Sequence, residues 1–229
     1  MRTLTVGSLP YLLAQVTGHQ HPDDTIPTLA GIRLEADATH LYAIATDRYT
    51  IAVARTALGK DSRGSEGFAG FLSTTDVKTL GAMSRATRTR AAVLTPLPEA
   101  LAVRFGEHTI NLPRHQGECD RFPAWRTLVR PALEGEPNLV AEVGLSPGLL
   151  ARWTAHLPAC DRYTPLVVWA TAPDKPVVLA RGADFLGVQM PVKLDHDQTG
   201  RARVREQWTT ALNPAAATAA EPSTMRAAA

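Results

Sequence analysis

The sequence predicts an α+β fold built from repeated units, each of one strand, one helix and three further strands. Apolar segments with strand-like alternation recur between turn residues. A Ser- or Pro-marked helix start follows the first strand of each unit. Residues 6–14 (VGSLPYLLA) and 143–151 (VGLSPGLLA) agree at six positions, which indicates an internal repeat.

Composition excludes several classes of protein. The chain has 229 residues, of which 45% are apolar and 20% charged, as in ordinary globular domains. No apolar run approaches the roughly 20 residues of a membrane span. We interpret residues 1–16 as a strand and a helix, not as a signal peptide. Cys119 and Cys160 are too few for a disulfide framework, so we expect a cytoplasmic protein.

The elements follow one order along the chain. The first unit is predicted to contain a strand, a helix and three strands at 4–7, 11–16, 29–34, 41–46 and 49–55. The second repeats this order at 68–72, 76–87, 91–94, 101–105 and 108–112, with Ser73 as a candidate helix cap. The third is predicted at 139–143, 146–156, 166–171, 177–180 and 185–192.

These units divide the chain into predicted domains. One unit cannot cover its own sheet, so units must pair. We therefore expect a full two-unit domain at 1–129 and a half-domain at 138–194, joined by a linker at 130–137. Residues 195–229 are rich in Ala, Thr and polar residues, and we expect a disordered tail with a short helix near 204–212.

Three motifs resemble a known family. The segment 26–55 contains P-x-L-x-G and ATDRYTIA, residues 121–129 read RFPAWRTLV, and 184–194 read DFLGVQMPVKL. Together and in this order they resemble the bacterial sliding clamp, the beta subunit of DNA polymerase III. The resemblance implies the DNA clamp (processivity-clamp) fold. It covers the family's middle domain and half of its last domain, and the family's first domain has no counterpart.

The resemblance also implies a groove for short peptides of polymerases and other replication proteins. The matching positions are Thr46, Arg48, Tyr49, Ile51, Pro123, Leu128, Val188, Met190 and Val192. Small apolar walls, an adaptable Met and an amphipathic Tyr suit a shallow pocket for an apolar anchor. Pattern alone favours Ile51, Leu128, Val188 and Met190 as core residues, whereas the resemblance favours the groove.

Contact with DNA is the second implied property, since clamps meet phosphates through basic residues on helices. Lys78 and Arg85 share one face of the second helix. The other candidates are Arg88, Arg90 and Arg152. The alternative is a solvated helix face. A net charge of +2 does not decide between the two readings.

Catalytic and metal-binding alternatives have little support in the sequence. His19 and His21 lie near Asp23, but such a pair without a third placed ligand is typical of a polar loop. There is no P-loop, no G-x-S-x-G and no G-x-G-x-x-G motif. We therefore predict a non-enzymatic protein without a cofactor or a metal.

The predicted function is that of a clamp-like replication accessory protein. Its expected partners are polymerase and other replication peptides, duplex DNA bound without sequence preference, and further copies of the chain as a tetramer or dimer; no membrane partner is expected. Clamp rings resemble closed circles of twelve units, so chains of three units would close as a tetramer. The alternative is a peptide-binding adaptor or decoy that does not encircle DNA.

Overall fold

The computed structural model describes residues 2–138, 142–155, 163–195 and 200–212. The first unit consists of β1 (Leu4–Val6), α1 (Leu9–Thr17), β2 (Gly31–Ala36), β3 (His40–Thr46) and β4 (Thr50–Ala57). The second consists of β5 (Phe68–Ser73), α2 (Thr74–Thr87), β6 (Ala92–Pro96), β7 (Ala100–Phe105) and β8 (His108–Pro113). The predicted order of elements is confirmed in both units.

The third unit is shorter. It contains α5 (Pro147–Leu150), a 3₁₀ turn (Ala151–Trp153), β9 (Leu166–Trp169), β10 (Val177–Arg181) and β11 (Phe185–Gln189). Of the strand predicted at 139–143, residues 139–141 lie outside the described part. The two described residues are not in a strand, and Gly144 next to them makes an isolated bridge with Val192.

The first two units interlock through their opening strands. β1 joins the second unit in a four-stranded sheet of order β1-β6-β7-β8, and β5 joins the first unit beside β2. The three strands of the third unit then extend this second sheet, giving the order β5-β2-β3-β4-β11-β10-β9. The four-stranded sheet therefore contains strands from two units and the seven-stranded sheet contains strands from all three. This sharing explains why one unit would not be stable alone.

The seven-stranded sheet buries apolar side chains on both faces because alternate residues of a strand point to opposite sides. Ala52 and Ala54 face a core shared with α1 and α2. Ile51 and Val53 face a second core that includes Phe122 and the helix α4 (Trp125–Glu134). The helices α1 and α2 therefore lie on one side of this sheet, and α4 lies on the other.

Local chemistry explains the ends of the second helix. Ser73 Oγ accepts a hydrogen bond from the Asp76 N–H at 3.2 Å, and Asp76 Oδ2 accepts one from the Ser73 N–H at 2.9 Å. This reciprocal pair is a capping box, which satisfies two backbone donors at the start of α2. Arg88 ends the helix in the left-handed conformation, with φ of 54°. The predicted cap at Ser73 is confirmed.

The linker predicted at 130–137 is wrong in its first half, because α4 continues to Glu134. Pro131 lies inside this helix, where its fixed φ is compatible with helical geometry although a hydrogen bond is lost. Val129 and Ala132 are buried against the sheet. Their packing outweighs the local preference for a break. A short helix, α3 (Gln116–Arg121), precedes α4 and was also not predicted.

A last helix, α6 (Arg201–Leu212), lies within the predicted tail and begins three residues before the expected short helix. Val204 and Trp208 on it are exposed. Residues 213–229 lie outside the described part of the chain. Within the described residues, no helix is long and apolar enough to cross a membrane.

Candidate functional site

The turn between β3 and β4 is held by one carboxylate. Asp47 Oδ1 accepts hydrogen bonds from the N–H of Tyr49 at 3.0 Å, the N–H of Thr50 at 2.7 Å and the Thr50 hydroxyl at 2.9 Å. Arg48, at the tip, has a φ of 80°, a conformation that is unfavourable for a side chain with a Cβ. The turn projects the Tyr49 side chain, which is 62% exposed, into solvent.

The third unit closes over this turn through an ion pair. Arg152, in the 3₁₀ turn, donates from Nη1 to Asp47 Oδ2, and the two side chains are 27% and 4% exposed. Burial alone would raise the pKa of Asp47, but the hydrogen bonds from Thr50 and Arg152 outweigh it and lower that pKa below its usual value. Arg152 is thus committed to Asp47 and is not grouped with the other predicted DNA contacts.

His19 lies beneath the same turn and is fully buried, so its interpretation as part of a polar loop is wrong. Its Nδ1 is 3.1 Å from Thr50 Oγ1, and its ring lies 4.4 Å from that of Trp153. Because the Thr50 hydroxyl donates to Asp47, its oxygen accepts from His19, and Nδ1 carries the hydrogen. Burial, followed by the positive charge of Arg152, lowers the pKa of His19 to about 4.

Strand pairing across the chain brings several predicted groove residues together. Ile51 on β4 is opposite Val188 on β11. The Met190 N–H donates to the Tyr49 carbonyl at 2.8 Å, so the pairing continues beyond the end of β11. Tyr49, Met190 and Val192 consequently lie at the same end of the sheet, and all three are exposed.

The remaining predicted groove residues divide between the core and the surface. Ile51 and Val188 are buried in the core beneath α4, and Thr46 is buried with its hydroxyl bonded to the Thr50 carbonyl at 2.7 Å. Leu128, on α4, is half exposed, and Pro123 before α4 is partly buried. The arrangement thus offers exposed apolar side chains above a floor of buried ones.

A cavity of about 570 Å³ opens beside the end of β11 and is mostly apolar. Met190 and Val192 line it, but Tyr49 and Leu128 do not. Its other lining residues are Glu142, Val143, Gly144, Pro173, Asp174, Pro191, Lys193 and Leu194. The motif match did not include the five lining residues that precede β9 or β10, at 142–144 and 173–174, because they lie outside the three motifs.

The basic residues of the second unit are exposed on and after α2. Lys78 and Arg85 lie on the helix, Arg88 ends it, and Arg90 precedes β6. None of the four forms an ion pair with a residue of the described part. The helix α2 lies on the face of the seven-stranded sheet opposite α4, so a polyanion bound along α2 would not contact α4.

Metal and thiol chemistry receive no support from the described residues. No group of three or more His, Cys, Asp or Glu side chains among them could hold a metal ion. His21 Nδ1 instead accepts the Asp23 N–H at 3.1 Å. Cys119 is buried, and burial raises the pKa of its thiol, which disfavours the reactive thiolate. Cys160 lies outside the described part.

Comparison with solved structures shows that the chain has the DNA sliding-clamp fold. Neither protein-family models nor curated proteins match the sequence. The matching structures include the DNA polymerase III beta chain of Streptococcus pneumoniae TIGR4 and the DNA polymerase sliding clamps of Pseudomonas aeruginosa and Bacillus subtilis. Their TM-scores are 0.65, 0.64 and 0.63, at 11%, 13% and 12% identity.

These matches cover 85%, 84% and 84% of this chain and 65%, 66% and 64% of the respective clamps. The chain therefore spans about two thirds of the length of the clamps that it matches. The predicted DNA clamp fold is confirmed. The clamps named above, which share it, are bacterial DNA polymerase III beta chains and sliding clamps.

Proposed function

We propose that this chain is a clamp-like replication accessory protein that binds linear peptide motifs of polymerase and other replication proteins. The observation that carries the proposal is the meeting of β4 and β11, where Tyr49, Met190 and Val192 are exposed together on a clamp fold. Exposed apolar side chains above a buried floor provide anchoring sites for an extended peptide. We call the surface formed by these three residues and Leu128 the peptide groove.

The domain division supports the same function. We propose that residues 1–129 correspond to a complete clamp domain and residues 138–194 to half of the next, so that the peptide groove lies where the two meet. The ion pair between Arg152 and Asp47 joins the two parts at this point. The groove would therefore depend on the docking of the third unit.

The proposal is tested with a fluorescent peptide of the pattern Q-x-x-hydrophobic-x-Leu. We expect micromolar binding, because a short peptide has few anchors and loses entropy on ordering. Met190→Ala should weaken binding by about 1–2 kcal/mol, as happens when an anchor that the bound partner buries is removed. Leu133→Ala is the matched control, because Leu133 and Met190 are both 43% exposed. Leu133 lies on α4, on the flank opposite the groove residue Leu128. Equal affinities of the two variants would place the site elsewhere.

A second candidate function is an adaptor or decoy that binds the same peptides without encircling DNA. It is favoured by Arg152, a predicted DNA contact that instead pairs with Asp47. The ring is favoured by β9, which has a strand partner on one side only within the described part and exposes Val167 and Val168. An uncovered apolar edge of this kind promotes pairing with another chain.

Native mass spectrometry separates the two candidates. A tetramer would support the ring, because four chains of three units supply a circle of twelve. A dimer, or a stable monomer of 24.6 kDa at tens of micromolar, would exclude this ring and leave the adaptor as the function. The peptide titration does not depend on which assembly forms.

A further inference from the structure

A second cavity, of about 530 Å³, opens on the other side of the third unit from the peptide groove. It lies between the start of α1, the end of β4 and the turn that joins β10 to β11. Its lining residues are Ser8, Tyr11, Leu12, Gln15, Arg55, Thr56, Ala57, Thr164, Arg181, Gly182, Ala183, Asp184 and Phe185. It shares no residue with the peptide groove, and its wall is about equally polar and apolar.

A buried positive charge lies in this wall without a matching negative charge. Arg181 is buried, with only 6% of the residue exposed. Its guanidinium donates to the Trp153 carbonyl at 3.3 Å and to Gln15 Oε1 at 3.1 Å, and both acceptors are uncharged. Within the described part of the chain, no carboxylate lies within ion-pair distance of it.

The other charges of the cavity do not compensate Arg181. Among the described residues of the wall, Asp184 is the one carboxylate, and its Oδ1 pairs with Arg55 Nε at 3.0 Å. The Phe185 ring lies 4.4 Å from Arg181 Cζ and provides a cation–π contact, which offsets burial only in part. A buried ion normally requires a paired counter-charge. The cavity thus has an excess of positive charge.

Two further features of the wall favour an anion. Ser8 Oγ is buried and has no hydrogen-bond partner among the described residues. Ser8 precedes α1, yet its side chain makes no capping bond, so the helix start does not account for the hydroxyl. The positive end of the α1 helix dipole is at the same place, and it attracts negative charge.

We propose that this cavity binds a phosphate group, with Arg181 as its main ligand and Ser8 as a second donor. A guanidinium has five N–H donors, and Arg181 uses two of its nitrogens on protein acceptors, so donors are left for a phosphate oxygen. A phosphate has enough oxygens to accept from Arg181 and from the Ser8 hydroxyl together. The group could belong to a small phosphomonoester or to the backbone of DNA.

The first test measures inorganic phosphate and dAMP binding by ³¹P NMR and calorimetry at low salt. Arg181→Gln should weaken binding about tenfold or more, because a charge-assisted hydrogen bond is lost. Ser8→Ala should weaken it less, about threefold, because the neutral hydroxyl contributes one hydrogen bond and no charge. Arg104→Gln is the control, since Arg104 is exposed on β7 and bonds the Gly106 carbonyl. Equal weakening by this control would overturn the site.

A second variant keeps the test decisive if Arg181→Gln does not fold. Ser8→Asp places a carboxylate in the cavity at a position where Asp also caps helices well. We expect it to abolish phosphate binding and to raise the melting temperature of the unliganded protein. Unchanged phosphate affinity in Ser8→Asp would overturn the proposal.

Competition identifies the source of the phosphate group. If dAMP displaces inorganic phosphate but a blunt 20-base-pair duplex does not, the site binds small phosphomonoesters. If the duplex displaces phosphate in the parent and loses affinity in Arg181→Gln, the site binds the DNA backbone. If neither inorganic phosphate, dAMP nor duplex binds in an Arg181-dependent way, the proposal is wrong. Peptide affinity should be unchanged in Arg181→Gln, so the result does not depend on the proposed function.

Discussion

The buried ion pair that joins the third unit to the β3–β4 turn makes a quantitative prediction. Asp47→Asn keeps an oxygen that can accept from Tyr49 N–H, Thr50 N–H and the Thr50 hydroxyl. It replaces the second oxygen, which accepts from Arg152, by an amide nitrogen. Two donors then face each other, and Arg152 loses its counter-charge.

The magnitude follows from the burial of the two partners. Breaking a buried ion pair by removal of one partner costs about 3–5 kcal/mol. The Asp47 side chain is almost fully buried, but water reaches Arg152, which is 27% exposed. Solvation of the remaining guanidinium reduces the cost, so we expect Asp47→Asn to lower the free energy of unfolding by about 2–3 kcal/mol.

Urea unfolding, followed by fluorescence, measures this change. Arg130→Gln is the matched control, because Arg130 and Glu134 form an ion pair at 3.8 Å whose side chains are both well exposed. Such a pair contributes about 0.5 kcal/mol or less. If Asp47→Asn cost no more than Arg130→Gln, the ion pair would not stabilise the junction. Asp47→Asn should also weaken peptide binding, since the turn it holds presents Tyr49.

Two further predictions concern pH and DNA. His19 is neutral in the folded protein with a pKa of about 4, whereas in the unfolded chain it takes up a proton near pH 6.5. The unfolded state therefore binds more protons than the folded state between pH 6.5 and 4, and the free energy of unfolding should fall by up to about 3 kcal/mol across this window. Urea titrations at several pH values measure this fall. In His19→Gln the free energy of unfolding should depend less on pH over the same window. For DNA, we expect weak, sequence-independent binding to duplex whose log–log salt slope flattens by about 0.9 for each phosphate contact removed at Lys78, Arg85 or Arg88. A triple Ala variant with the parent's slope, or an equal effect of Arg130→Ala on the opposite side of the sheet, would place the DNA contact elsewhere.

Local sequence determined the order of the elements in the first two units and their chemistry. Strand alternation and helix starts depend on neighbouring residues, so β1 to β8 and the Ser73 cap could be predicted without any knowledge of packing. The motif that closes the third unit contains Met190 and Val192, which are exposed. Pattern could not separate these residues from Ile51 and Val188, which are buried, because all four are apolar residues of predicted strands.

Tertiary structure alone decided the features that join distant segments. The pairing of β4 with β11 and the ion pair of Asp47 with Arg152 link residues more than a hundred positions apart, and no local pattern encodes such a partner. Packing also overrode composition at Pro131, which stays within α4, and at His19, which is buried among Thr50 and Trp153. The unmatched charge of Arg181 became visible only in the folded chain, because burial and the absence of a carboxylate are properties of an environment that several segments build together.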